Sequence, residues 1–402
     1  MTIRTSAAAL AVLVGLALAC GPAAAQKKYG PGVSDTEIKL GQTMPYSGPL
    51  SALGSYGRAQ VAFYKMINDE GGINGRKINL LSLDDGYSPP KTVEQTRKLV
   101  EEEGVLAIVS SLGTPANTAI YKYLNEKHVP QLFIASGAAK WRDYKASPWT
   151  ISGTINYEIE GGIVAKYILG AYPGAKIAVF YQNDAFGKDY LKGFKDQLGA
   201  HANMIVGEAS YETSDPTIDS QIISLKQSGA DTLVEFSLTK FTSQAIRKVH
   251  ELGWQPRHFI PSVSNAIGSV LTPAGIEAST GIYSGQVLKS AADPQWANDP
   301  GYQKWLAFMQ KYLPGADIND SYYVAGFDTA ELMAHVLKQC GDDLTRENVM
   351  RQATSLKNFQ PSMSLPGITV TTTPTDYDMF HTAQLSRFDG KSWVLFGDLI
   401  SN

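Results

Sequence analysis

The strongest constraint on this chain is a regular alternation of short apolar runs with amphipathic segments, which occurs twice along its length. The first series predicts strands at Ile38–Thr43, Lys77–Leu83, Val105–Ser110 and Gln131–Ala135. Between the first two of these strands, apolar residues recur with a helical period up to a stop at Gly71-Gly72. Nearly continuous apolar strands separated by helices predict a parallel sheet covered on both faces, with right-handed crossovers.

The second series begins with a helix near Glu158–Ala171 and repeats the pattern. Its predicted strands lie at Lys176–Tyr181, Met204–Glu208, Thr232–Phe236 and His258–Pro261, with helices near 186–199, 217–228 and 240–252. The stretch Trp149–Asn156 between the two series is short and polar, too short for a further domain. A chain of 402 residues can form two domains, each with its own core. The pattern therefore predicts an α/β protein with two doubly wound lobes.

The last part of the chain predicts elements that return to both lobes. Long helices are expected at about 299–313 and 321–339, followed by β-rich segments at Gly367–Thr372 and Leu385–Phe396. The second of these segments contains Asp389-Gly390, which is typical of a hairpin turn. The chain is therefore expected to cross between the lobes more than once.

The N-terminus has the pattern of a secretory signal peptide over residues 1–25. Arg4 precedes an apolar run from Ala7 to Ala19, and small residues lead to a predicted cleavage before Gln26. The run is shorter than the roughly 20 apolar residues that a bilayer-spanning helix needs. Cys20 offers lipid attachment as the alternative, but Ala17 stands where that signal usually has Leu. Cleavage before Gln26 would leave Cys340 as the one cysteine, without an intrachain disulfide.

Charge and motif spacing exclude several functional classes. With 35 Lys+Arg against 38 Asp+Glu and no basic cluster, the chain is not expected to bind nucleic acid. The six histidines are scattered singly, which predicts no metal site. The Gly71–Gly75 cluster follows a helix and precedes a strand, the reverse of a dinucleotide-binding turn. We find no nucleophile–base pair, so the sequence predicts neither an enzyme nor a cofactor.

One tight carboxylate pair, Asp84-Asp85, stands at the end of a predicted strand. Ligand contact is possible there because sites of α/β proteins gather at strand ends. General acid–base work would need a positioned partner, which the sequence does not offer. We therefore interpret the pair as capping a helix or stabilising a hinge.

Three segments resemble the branched-chain amino-acid-binding family of periplasmic proteins, which deliver ligands to ABC importers. They are Met44-Pro45-Tyr46-Ser47-Gly48-Pro49-Leu50, Ile67-Asn68-Asp69-Glu70-Gly71-Gly72-Ile73-Asn74-Gly75-Arg76-Lys77 and Leu83-Asp84-Asp85. Asn183-Asp184-Ala185-Phe186-Gly187 and Pro366-Gly367-Ile368-Thr369-Val370 also match, so that the resemblance runs along nearly the whole mature chain.

The resemblance implies a type I periplasmic-binding-protein fold, in which two doubly wound α/β lobes are joined by a hinge of three crossovers. Residues 26–152 with about 285–360 would form the N-terminal lobe, and residues 153–284 with about 361–402 the C-terminal lobe. The implied protein is a periplasmic monomer without a cofactor that holds a small molecule in the cleft. Its implied partner is an inner-membrane ABC permease.

The resemblance also implies which loops contact the ligand. In amino-acid-binding members, the loops after the third and fourth strands give hydroxyl and backbone N–H groups to the ligand carboxylate. Here the first loop reads Ser111-Leu112-Gly113-Thr114 and the second reads Ser136-Gly137-Ala138-Ala139. Ala139 takes the place of a Thr of the family.

The second lobe departs further from the family. Phe186 takes the position of one Tyr, Leu238 that of another, and Ser262 that of the acidic partner of the ligand ammonium. Because an unpaired buried ammonium is costly, these changes favour a carboxylate without an α-amino group, with an apolar or aromatic body.

The expected apolar walls are Leu53, Phe186 and Leu238, and the expected aromatic contacts are Tyr46, Tyr157 and Tyr322. The alternative ligand is a branched-chain or other aliphatic amino acid, with Asp184 or Glu235 facing its ammonium. A sensor partner in place of a transporter is a further alternative.

Overall fold

A computed structural model describes residues 27–401, and its strands follow the order predicted from the apolar runs. The strands are β1 (Lys28–Tyr29), β2 (Glu37–Met44), β3 (Lys77–Asp84), β4 (Ala107–Val109), β5 (Gln131–Ile134), β6 (Thr150–Ser152), β7 (Ile177–Gln182), β8 (Ile205–Tyr211), β9 (Thr232–Phe236), β10 (Arg257–Ile260), β11 (Tyr283–Gln286), β12 (Asp343–Leu344), β13 (Thr382–Phe388) and β14 (Trp393–Ser401).

The helices between them begin at residues whose local chemistry favours a helix start. Asn156, Asp184 and Asp320 each accept a hydrogen bond from a backbone N–H of the first turn that follows. The α-helices are α1 (Gly54–Asp69), α2 (Pro89–Arg97), α3 (Thr114–Glu126), α4 (Tyr157–Ala171), α5 (Ala185–Leu198), α6 (Asp219–Gln227), α7 (Thr239–Glu251), α8 (Thr272–Ala274), α9 (Ile276–Ser279), α10 (Pro300–Tyr312), α11 (Ser321–Cys340) and α12 (Arg346–Ala353).

Two main sheets lie at the centres of two lobes. The first has five parallel strands in the order β3-β2-β4-β5-β6. The second has seven strands in the order β14-β13-β11-β10-β9-β7-β8, in which β13 and β14 are antiparallel. Asp389 N donates to Ser392 O across the predicted hairpin. The two-lobed doubly wound α/β prediction is confirmed.

Three segments of the structure differ from the sequence prediction. The polar stretch Trp149–Asn156 contains β6, and β11 was not predicted either. Both strands contain polar residues that are buried. Side-chain hydrogen bonds, such as that from Thr150 Oγ1 to Gln131 Oε1 (3.0 Å), offset the cost of burying these polar atoms. Gly367–Thr372 is not a strand, because only an isolated bridge joins Val370 to Phe359.

The chain passes between the lobes three times. It leaves the first sheet after β6, returns after β11 so that α10 and α11 pack on α1, and joins the second sheet again at β13. The lobe boundaries themselves stay a prediction. The last boundary is decided by the lobe to which residues 361–381 belong. In this segment, Met363 N donates to Asp328 on α11, and Tyr377 Oη donates to Pro148 O.

No helix within residues 27–401 combines the length and the apolar character that crossing a bilayer would require. The predicted signal peptide and Cys20 lie outside the described residues. Cys340 is a buried free thiol at the end of α11, as its position on an apolar helix face predicts.

Candidate functional site

A cleft between the lobes holds a cavity of about 160 Å³, lined mainly by apolar side chains of both lobes. An apolar protein cavity of about 150 Å³ accepts benzene, so this cavity is large enough for a single six-membered ring. The loops that line it follow β4 in the first lobe and β9 and β10 in the second. This is the position at which open α/β sheets bind their ligands, at the carboxyl ends of the strands.

Nine of the residues predicted to contact a ligand line this cavity, and both lobes supply them. They are Leu53, Leu112, Gly113, Thr114, Tyr157, Phe186, Leu238, Ser262 and Tyr322. The structure therefore brings together the predicted apolar walls and one predicted hydroxyl of the first lobe. Their contact with a ligand remains a prediction.

The other seven predicted residues, all within the described part of the chain, stand outside the lining: Tyr46, Ser111, Ser136, Gly137, Ala138, Ala139 and Asp184. Several of them hold the lining from behind. Ser111 Oγ accepts a hydrogen bond from Thr43 N at 3.0 Å, and Tyr46 Oη pairs with Ser82 Oγ at 2.6 Å.

A chain of hydroxyl groups ends at the cleft wall of the first lobe. Trp141 Nε1 donates to Ser136 Oγ at 2.9 Å, and Ser136 Oγ lies 2.8 Å from Thr114 Oγ1. Burial raises the pKa of the Tyr157 hydroxyl, which lies on the opposite lobe, to about 12. Because Ser136 Oγ already accepts from Trp141, Ser136 can give its own proton to Thr114 Oγ1, and the Thr114 proton is then available to an acceptor in the cleft.

Helix α3 begins at the same point. Gly113 precedes it with a φ of 106°, and a Cβ there would approach Tyr87 Cε2 to 2.7 Å, so this position requires glycine. The first N–H groups of a helix have no partner within that helix, and the helix dipole favours an anion beside them. Thr114 and Ala116 supply such groups here, whereas Pro115 has none.

The second predicted loop has less to offer an anion. Ser136 N donates to Ile134 O at 2.8 Å, and Ala139 N donates to Asp189 Oδ2 of the second lobe at 2.8 Å. Protein oxygens already accept from these two N–H groups, which leaves them less able to donate to a ligand carboxylate. In the first lobe, the start of α3 is therefore the part of the lining that offers N–H groups to the cleft.

The carboxylates that the sequence offered for a ligand ammonium lie inside the second lobe. Asp184 accepts from Phe186 N at 2.9 Å and from Gln182 Nε2 at 2.7 Å, which makes it the cap of α5. Glu235 is buried and hydrogen-bonds to His258 and to Ser237. Neither residue is part of the cleft lining in the described chain.

Sequence reasoning missed a carboxylate directly behind the cleft. Glu160, on α4, is only 1% exposed and accepts from Ser262 N at 2.7 Å, Ser262 Oγ at 2.8 Å and Tyr190 Oη at 2.6 Å. Burial raises the pKa of Glu160. The signal for this site was a glutamate one turn before Ile163 and Val164, on the apolar face of its helix.

Tyr87 is a second lining residue that sequence reasoning missed. It lies on the turn after Asp84-Asp85 with a φ of 61°, and Asp85 Oδ1 accepts from its backbone N–H at 2.9 Å. The interpretation of the aspartate pair as structural is confirmed, because Asp84 likewise accepts from backbone N–H groups of this region.

Within residues 27–401, no cluster of three or more His, Cys, Asp or Glu side chains is arranged to hold a metal ion. The polar groups of the lining are hydroxyls, amides and a few partnered ions such as Lys289, which donates to Asp299 at 2.6 Å. The cleft is therefore equipped to hold a small molecule by hydrogen bonds and apolar contact.

Comparisons with known proteins agree with this geometry. The Leu/Ile/Val-binding protein homolog 7 of Brucella abortus (strain 2308) is 23% identical over 333 residues, which cover 80% of this chain and 82% of that protein. A branched-chain amino acid ABC transporter protein of Thermus thermophilus with bound valine superposes with a TM-score of 0.83 at 18% identity, covering 92% of this chain and 98% of that one.

A solute-binding protein of an R. palustris ABC transporter, in complex with benzoate, superposes with a TM-score of 0.76 at 20% identity, covering 91% and 98% of the two chains. The family described as periplasmic binding protein matches residues 37–392. This is a family of solute-binding proteins and not of enzymes, and it agrees with the resemblance found in the sequence. With two α/β lobes around a ligand-sized cleft and a match over most of its length, the chain belongs to the periplasmic binding protein family.

Proposed function

We propose that this protein captures a small apolar or aromatic carboxylate in the cleft and presents it to an inner-membrane ABC permease. The observation that carries the proposal is that the two sides of the cleft differ in polarity. The start of α3 and the Thr114 hydroxyl offer donors on one side, and Phe186 and Leu238 offer apolar surface on the other.

The donors at the start of α3 can bind a ligand carboxylate without the help of a cationic side chain of the protein. Backbone N–H groups at a helix start bind anions through their hydrogen atoms and the helix dipole together. The hydroxyl chain through Ser136 adds donors at the same wall. A ligand carboxylate here would be held by several charge-assisted hydrogen bonds, each worth roughly 1.5–3 kcal/mol.

The apolar wall determines what the rest of the ligand can be. Phe186 packs edge-to-face on Tyr157 with ring centroids 5.0 Å apart, so that the two rings form one rigid aromatic surface. The benzoate bound by the R. palustris neighbour has the chemistry that such a surface would accept, an aromatic ring joined to a carboxylate. That neighbour shares the fold with this chain at 20% identity.

An aliphatic amino acid is the second candidate ligand. The valine bound by the Thermus thermophilus neighbour and the name of the Brucella relative favour it. In this chain, Ser262 separates the cleft from the buried Glu160. A ligand ammonium would therefore meet a hydroxyl oxygen first, and burying a charge with too few partners is costly.

Export precedes this function in the proposal. The predicted leader of residues 1–25 would bring the protein to the periplasm, and cleavage before Gln26 would release it. The intact mass of the secreted protein tests this step. A mass equal to that of the chain starting at Gln26 supports this cleavage, whereas the mass of a chain starting at a diacylated Cys20 would mean a lipid-anchored protein.

The ligand class is tested by comparing an acid with its α-amino analogue on the same carbon frame. Calorimetry on protein refolded to remove copurified ligand should show 3-phenylpropanoate binding at least tenfold tighter than phenylalanine. The Ser262→Glu variant should narrow that difference, because it would place a carboxylate in the cleft itself. Equal or tighter binding of phenylalanine by the wild type would favour the amino-acid candidate.

A further inference from the structure

We propose that Ser262 selects ligands that carry a hydrogen-bond donor, such as a ring hydroxyl, on the part that faces the second lobe. The buried carboxylate of Glu160 fixes the Ser262 hydroxyl as an acceptor toward the cleft. This inference rests on the proposed function, since it names a group on the acid that the cleft captures.

The two residues form a fixed unit. Glu160 Oε1 accepts from Ser262 N at 2.7 Å, and Glu160 Oε2 accepts from Ser262 Oγ at 2.8 Å. The double contact ties both the backbone and the side chain of Ser262 to one carboxylate. Ser262 is half-buried and lines the cleft, whereas Glu160 is buried behind it.

The direction of the hydrogen bond determines what Ser262 offers a ligand. A serine hydroxyl has one proton and two acceptor lone pairs. Ser262 Oγ donates its proton to Glu160 Oε2, so its lone pairs remain for the cleft. A ligand group at this position would therefore have to donate.

Glu160 itself is satisfied. Tyr190 Oη is a third donor to it at 2.6 Å, so that with the two donors from Ser262 its carboxyl oxygens accept three hydrogen bonds. The hydrogen bond to Glu160 therefore orients the Ser262 hydroxyl, so that its lone pairs are available on the side of the cleft. This makes Glu160 a positioning residue.

A neutral donor fits this position better than an ammonium. An ammonium group has three donors and requires several acceptors, but Phe186, Leu238 and Val263, which line the same cavity from the second lobe, are apolar. The polar neighbour Asn265 is already engaged, because its Nδ2 donates to Ser284 Oγ at 3.3 Å and its Oδ1 accepts from Ser321 Oγ at 3.4 Å. One acceptor in an apolar wall matches one hydroxyl.

The test compares pairs of acids that differ only in whether a ring oxygen can donate. The probes are benzoate and 3-phenylpropanoate with their 3- and 4-hydroxy and 3- and 4-methoxy derivatives. In the wild type, we expect at least one hydroxy acid to bind tenfold or more tightly than its methoxy partner. In Ser262→Ala, that ratio should fall to within about twofold, while the unsubstituted acid keeps its affinity within threefold.

Two further variants keep the test specific. Glu160→Gln should also reduce the hydroxy-to-methoxy ratio. The carboxamide NH2 can donate to Ser262 Oγ, so that the Ser262 proton is free to point into the cleft and Ser262 no longer requires a donor from the ligand. Ser220→Ala is the control, an exposed serine of the second lobe outside the lining, and it should leave the ratio unchanged. Thermal unfolding of each variant shows whether it is folded, and Ser262→Ala alone decides the inference if Glu160→Gln unfolds.

The outcomes separate this inference from the proposed function. If the wild type binds none of the acids, the proposed function is wrong. If it binds the unsubstituted acids but gains nothing from a hydroxyl, or if Ser262→Ala keeps the preference, the proposed function stands and the role of Ser262 is wrong.

Discussion

Thr114 combines the backbone and the side-chain donors of the first lobe in one residue. Its N–H belongs to the first turn of α3, and its hydroxyl lies 2.8 Å from Ser136 Oγ. Because Trp141 donates to Ser136 from the other side, Ser136 can donate to Thr114 and leave the Thr114 proton for a group in the cleft.

Removing the Thr114 hydroxyl should therefore weaken carboxylate binding. We expect Thr114→Ala to lower the affinity for benzoate or 3-phenylpropanoate at least tenfold, since a hydrogen bond to a charged group contributes roughly 1.5–3 kcal/mol. Isothermal calorimetry measures this change. Thr118→Ala is the control, because that hydroxyl lies one turn further along α3 and donates to Thr114 O; equal losses in both variants would contradict the proposed role.

Residue patterns predicted much of the cleft but not all of it. Thr114, Phe186 and Leu238 could be found because they follow predicted strands, where the cleft of an α/β fold has to lie. Glu160 could not be placed, because its position on a helix does not reveal that it faces Ser262, 102 residues away. Such a contact depends on the packing of α4 against the second sheet.

At the scale of elements, apolar strands were predicted well and polar strands were not. Thr232–Phe236 was predicted with the bounds that β9 has, because its apolar run is continuous and buried. β11 reads Tyr-Ser-Gly-Gln, and only the partners across the sheet explain its burial. Gln286 Nε2, for example, donates to Ser386 Oγ of β13 at 2.9 Å.

Asp84 joins the ends of two strands in the first lobe. It ends β3, and its carboxylate accepts from Tyr46 N at 3.0 Å, from Ser47 Oγ at 2.6 Å and from Lys91 Nζ at 3.1 Å. Partial burial opposes its ionisation, but the hydrogen bonds from Ser47, Gly86 and Lys91 outweigh that effect and lower its pKa to about 2. The loop after β2 is thereby tied to the ionised form of Asp84.

This pKa predicts an acid-dependent loss of stability. The unfolded chain takes up a proton at Asp84 near its ordinary value of 3.8, before the folded chain does at about 2. The contribution of Asp84 is therefore present above pH 3.8 and is lost as the pH falls toward 2. Urea unfolding from pH 5 to pH 2 should show a shallower loss in Asp84→Asn than in the wild type, and no such difference for the exposed Asp398→Asn.

At the scale of the whole molecule, the lobes touch through hydrogen bonds of their own. Ala139 N in the first lobe donates to Asp189 on α5, and Tyr322 Oη on α11 donates to Val263 O at 2.9 Å. These contacts exist only when the lobes are close together. A ligand that contacts both lobes adds to them and shifts the population toward the closed form.

Closure should be visible as compaction, and Asp189 should contribute to it. Small-angle scattering with a saturating acid should show a smaller radius of gyration, and an unchanged radius would contradict the hinge mechanism. We expect Asp189→Ala to lower the affinity for every acid by the same factor, at least about threefold for one lost hydrogen bond. Asp196→Ala, which changes an exposed carboxylate on the same helix, should leave both measurements unchanged.

The Ala139–Asp189 contact has a practical consequence for engineering a sensor from this protein. Since neither residue lines the cleft, changing Asp189 alters the opening equilibrium without altering what the cleft selects. A graded set of substitutions there would give receptors with one chemical preference and a range of working concentrations. Fluorophores attached to opposite lobes of those receptors would then report the same analyte from dilute to concentrated samples.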